Sequence, residues 1–154
     1  MEDSEASNLD GKESIIELKV TYGRERDILR VKNTLQRLPW YKERRYDISL
    51  PRGISQNSTQ EEIVAVVQTG YREEEYKDFE IFIKDKWKDF SQKFEDLKNI
   101  PSLNLRGTYT LILTKYGVGA SYDAEKREVT VNIIYRGKEK IMGTIFHEIV
   151  HMTI

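Results

Sequence analysis

The sequence predicts an α+β protein with a mostly antiparallel sheet, and three observations carry that prediction. Apolar and polar residues alternate over 15–22, 108–114 and 128–135, the period of half-buried strands. Apolar residues recur three or four apart over 24–38 and 73–98, the period of helices with one buried face. Asp123-Ala124-Glu125-Lys126 lies between two strand-forming runs and reads as a hairpin turn. Such elements pack as a sheet covered by helices.

Taken in order, residues 1–13 are rich in Asp, Glu, Ser, Asn and Gly, and read as a disordered acidic tail. Residues 14–154 read as a single domain. In the first strand Ile16, Leu18 and Val20 share a face, and Gly23 breaks it. The next helix spaces Ile28, Leu29, Val31, Leu35 and Leu38 for burial, and Pro39 ends it. Residues 46–50 suggest a short strand before Pro51 and Gly53. Ser58 or Thr59, followed by Glu61 and Glu62, has the form of a capping box for a helix through Ile63, Val64, Val66 and Val67.

The long helix at 73–98 carries Tyr76, Phe79, Ile83, Trp87, Phe90, Phe94 and Leu97 on one side, a stripe that suits core packing. Asn99-Ile100-Pro101 stops it. In the strand that follows, Tyr109, Leu111 and Leu113 face one way and threonines chiefly the other. Residues 116–122 are small and glycine-rich but lack a phosphate-loop pattern. Val129, Val131, Ile133 and Tyr135 share a face of the last strand.

The 25 basic and 26 acidic residues nearly cancel, so no global field draws the chain to nucleic acid. Lys42, Arg44 and Arg45, near Trp40 and Tyr41, read as solvated surface on a neutral chain. The absence of cysteine excludes disulfides and thiolate metal sites. The acidic start is the reverse of a secretory signal, and no apolar run has membrane-spanning length, so a cytoplasmic protein with no membrane partner is expected.

The strongest chemical signal is His147-Glu148-Ile149-Val150-His151, which reads H-E-x-x-H and contains both histidines of the chain. On a helix, residues four apart stack on one face, so the two imidazoles can each give a nitrogen to one Zn²⁺. Glu148 lies beside them, where a carboxylate can take a proton from water. The apolar flanks, from Ile141 to Phe146 and at Ile149 and Val150, predict a helix buried nearly all round. Buried histidines and a glutamate need partners, because desolvating them is costly.

This pentad resembles the motif of the zinc metallopeptidases called zincins. The order of elements over 79–154 resembles the upper half of their small catalytic domains. The branch that extends the motif with glycine and a third histidine would need glycine where Ile154 stands. The better match is the glutamate-zincin branch, whose third ligand is a Glu on a later helix. No such helix follows, so the third ligand is expected from beyond Ile154, from upstream (among Glu73, Glu74 and Glu75) or from another chain. A chain ending inside an apolar helix leaves carbonyls uncapped, which favours the first.

The resemblance implies zinc-dependent peptide hydrolysis, with His147 and His151 as metal ligands, Glu148 as general base and a peptide or protein as substrate. It also implies a rim strand that binds extended substrate, for which Gly117 to Ser121 is the candidate, since small residues let another backbone approach. Residues 14–70 match no pattern of the family and read as a pro-segment or an added recognition layer. Two other functions fit the same residues. One is a regulatory H-E-x-x-H domain that cleaves a single partner protein. The other is a binding module with an incomplete metal site.

Overall fold

The computed structural model describes residues 16–97, 100, 105 and 107–153. The predicted tail at 1–13, Asn99 and Pro101 at the helix stop, and Ile154 lie outside the described residues. The chain is α+β. Strand β1 (Ile16–Thr21) leads into α1 (Arg24–Gln36), α2 (Leu38–Glu43), α3 (Gln60–Gly70), α4 (Glu73–Phe90) and the single turn α5 (Gln92–Glu95). Then come β2 (Gly107–Thr114), β3 (Ala120–Asp123), β4 (Glu128–Asn132) and α6 (Lys138–Thr153).

The four strands form one sheet in the order β1-β2-β4-β3. It is mixed, which corrects the mostly antiparallel expectation: β1 and β4 both run parallel to β2, and only the β3–β4 hairpin is antiparallel. The hairpin is local, closed by a turn in which Arg127 adopts φ 55°. The β1–β2 pairing joins Ile16 to Gly107 across all five intervening helices, and a crossover of that length returns a strand in either direction.

One sheet face is apolar. Ile16, Tyr109, Leu111, Leu113, Val129 and Val131 are buried there against Tyr76, Ile83 and Trp87 of α4 and Ile141, Ile145 and Ile149 of α6. Both the long helix and the H-E-x-x-H helix therefore cover the sheet, as expected. A second cluster joins Val31 and Leu35 of α1 to Leu38 of α2 and Ile63 and Val67 of α3.

Between these layers the Asp27 carboxylate of α1 is buried and accepts from Tyr76 Oη of α4 (2.6 Å) and Thr114 Oγ1 of β2 (2.9 Å). Burial pushes this carboxyl above its ordinary range, against the opposing effect of those hydrogen bonds and of Lys115. Three elements are thereby tied at one point.

Several predicted elements change at their ends. The capping box forms between Thr59 and Glu62. Pro39 occupies the first turn of α2, where a missing N–H costs nothing, so it begins a helix as well as ending one. Leu29 points outward and is 56% exposed, because α1 turns Asp27, Val31 and Leu35 inward instead. The long helix stops at Phe90: the Ser91 hydroxyl donates to Lys88 O (2.9 Å), a local bond that competes with the helical ladder, and Phe94 re-enters the core from α5. The strand expected at 46–50 is reduced to one bridge, Ser49 with Gly117. The last strand ends at Asn132, whose Oδ1 accepts from Ile134 N (2.9 Å) and turns the chain toward α6.

Candidate metal and peptide site

Helix α6 is amphipathic. Ile141, Met142, Ile145 and Ile149 are buried, whereas His147 and His151 are exposed and Glu148 is half-buried. This corrects the expectation of a helix buried nearly all round: the apolar residues cluster on the side facing the sheet, and the histidines occupy the solvent side. They are therefore hydrated rather than in need of buried partners. The spacing does bring them together, with ring centroids 4.4 Å apart and planes at 58°.

Beside them runs β3, one of the two edge strands of the described sheet. Tyr122 of this strand stacks on His151, with centroids 6.1 Å apart. Asn132 N donates to Gly119 O (2.9 Å), so this pair is hydrogen-bonded. By the alternation of an antiparallel ladder, the Ala120–Val131 and Tyr122–Val129 pairs are then the non-bonded ones. The N–H and C=O groups of Ala120 and Tyr122 thus point away from β4, toward the open edge.

The glycine-rich stretch leading into β3 is held from three sides. The Arg30 guanidinium of α1 donates to Tyr116 O (3.3 Å), Val118 O (3.5 Å) and Ser121 Oγ (3.3 Å). Asn132 Nδ2 donates to Gly117 O (3.1 Å), and Ser49 exchanges both backbone bonds with Gly117 (3.0 and 2.7 Å). Gly117 has φ +84°, and a Cβ there would lie 2.5 Å from Arg30 Nε, so only glycine fits. The candidate rim residues are thus divided: 117–119 form the anchored approach, and Ala120 and Ser121 begin the strand.

A recess of about 740 Å³ opens alongside, lined by residues 118–122 and Glu148 together with Arg37, Trp40, Tyr41, Tyr46, Asp47, Tyr135 and Arg136. Arg136 also borders a smaller hollow with Ala120, His147 and Glu148. Apart from the 118–122 stretch and Glu148, none of the recess-lining residues, nor Asn132, stands out in the sequence as part of a site. For Arg30 a faint signal exists: Asp27, Arg30 and Thr34 form a polar line at helical spacing on an otherwise apolar helix face.

Among the described residues, no group of three or more His, Asp or Glu side chains is placed to hold one metal ion. Glu73, Glu74 and Glu75 do not complete the histidine pair; Glu75 instead pairs with Lys115 (2.8 Å). The two imidazoles fit two positions of a zinc site through exposed nitrogens on one helix face. Comparison of the chain with known protein families, with characterised proteins and with solved structures gave no match. No helix among the described residues is long and apolar enough to cross a membrane.

Proposed function

We propose that the chain is a zinc-dependent metallopeptidase. The observation that carries this reading is the meeting of the exposed His147–His151 pair with the edge strand β3, where Tyr122 stacks on His151 and Glu148 borders one hollow with His147 and Ala120. His147 and His151 would hold the metal through their ring nitrogens, with any further ligands from outside the described residues or from water. When bound, zinc would make its water more acidic and polarise a peptide carbonyl.

The protein's own groups do the rest. The outward N–H and C=O groups of Ala120 and Tyr122 receive an extended peptide as an added strand. The Glu148 carboxylate takes a proton from the attacking water and delivers it to the departing amine nitrogen. Arg30 and Asn132 keep the strand in place while this happens.

A second reading, a peptide-binding module with an incomplete metal site, is favoured by the presence of only two ligands among the described residues. Incubation of zinc-loaded protein with unfolded casein, with products read by mass spectrometry, separates the two. The peptidase reading expects chelator-sensitive cleavage, and intact casein with retained peptide binding supports the binding module.

A further inference from the structure

Part of the recess lining comes from a segment that the H-E-x-x-H chemistry does not use. In α2 and the turn after it, Trp40 and Tyr46 stack with centroids 5.8 Å apart, and Tyr41 meets both edge-on. Trp40 is 39% exposed and Tyr46 51%, and Tyr122 across the recess is 45% exposed. Large rings left open together mark a surface that meets something.

The cations around them point to what that is. The Arg37 guanidinium lies over Trp40 (5.0 Å) and Tyr41 (5.5 Å). The two ring planes stand at 80°, and a guanidinium packed between such rings still offers N–H groups that a carboxylate can accept bidentately. Arg44 also caps Trp40 (4.0 Å), but its charge is matched by Glu43 at 3.3 Å.

Arg136 also lines the recess, with its guanidinium close to Gly119, and among the described residues it donates only to the neighbouring Tyr135 O (3.3 Å). Among the described residues, neither Arg37 nor Arg136 forms an ion pair, although Asp47 and Glu148 also line the recess. Residues 37–47 carry four basic side chains against two acidic ones, in a chain whose net charge is −1. That segment is basic, and the recess it borders holds Arg37 and Arg136 together with Asp47 and Glu148.

We infer that this recess is a specificity subsite for an acidic side chain on an extended peptide lying along β3, with Arg37 and Arg136 binding the carboxylate and the rings packing its stem. The inference rests on the peptide-binding part of the proposed function, and it is independent of whether the bound peptide is cut.

The test therefore reads binding. Labelled ten-residue peptides differing only in one central Glu, Gln, Phe or Lys are titrated into the whole zinc-free protein and followed by fluorescence anisotropy. The Glu peptide should bind about tenfold more tightly than its Gln isostere, the scale of a charge-assisted pair, and the preference should shrink at high salt. Arg37→Gln and Arg136→Gln should each reduce it, whereas Lys42→Gln, outside the recess, should not. Circular dichroism checks each variant, and the exposed Arg37 keeps the test valid if Arg136→Gln misfolds.

Equal binding of Glu and Gln peptides would overturn the inference. So would a stronger preference for Phe, an equal loss in Lys42→Gln, or tighter binding of a single-stranded oligonucleotide than of the Glu peptide. A preserved Glu preference without hydrolysis would support this inference while contradicting the peptidase reading.

Discussion

Tyr122, on the free edge strand, stacks on His151, on the helix that ends the described chain, with ring centroids 6.1 Å apart and planes at 29°. The strand proposed to hold a peptide and the helix proposed to hold a metal therefore share one surface. Zinc added to the metal-free protein should shift the ring resonances of Tyr122 along with those of His147 and His151. Those of Tyr109, buried in the core, should stay in place. Unmoved Tyr122 signals would separate the two surfaces.

The exposure of both histidines makes the metal and the fold separable. His147→Ala and His151→Ala should each abolish bound zinc, measured by elemental analysis after dialysis. Each should change stability by no more than about 0.5 kcal/mol, as surface substitutions do. Loss of folding in either variant would mean that the imidazoles support the core.

The anchor beneath β3 predicts a localised defect. Gly117→Ala places a Cβ against Arg30 at a backbone angle that disfavours side chains, so it should destabilise by about 1–3 kcal/mol. Urea denaturation reads that cost, and weaker binding of extended peptides reads the displaced strand. A neutral substitution would show that the loop has room to relax.

These residues also show what was legible in the sequence. The His147–His151 pair could be read because helical periodicity is local: four residues apart means one face wherever the helix lies. Which face is covered is not local. The apolar residues of α6 promised burial all round, and only the position of the sheet decides that Ile145 and Ile149 go inward and the histidines outward. The strands at Tyr109–Leu113 and Val129–Val131 announced themselves by alternation, but alternation carries no direction. The parallel pairing of Ile16 with Gly107 depends on the helices between them. Arg30 left only a faint trace as a site residue, because the backbone it holds at Tyr116 and Val118 is far away in sequence.

Asp27 gives a pH signature. Its carboxyl is raised above the ordinary 3.8, chiefly by burial, so the folded state holds this proton more tightly than the unfolded chain does. Its contribution to stability is then fully present below that ordinary value and is lost as pH rises through the folded value. The melting temperature of wild type relative to Asp27→Asn should therefore fall as pH rises from below the ordinary carboxyl value through the raised folded value. A difference that grows with pH would mean that the hydrogen bonds from Tyr76 and Thr114 outweigh desolvation.

Glu148 offers the most direct measurement of the central claim. Glu148 lines the recess and, with His147, the adjoining hollow, and Glu148→Gln keeps its size while removing the base. Zinc content, folding and hydrolysis of a labelled peptide are compared in wild type and variant under the same metal loading. The account predicts unchanged zinc and fold, with hydrolysis lowered roughly a hundred-fold to ten-thousand-fold, the contribution of a positioned acid–base group. Equal hydrolysis by the two proteins would contradict it.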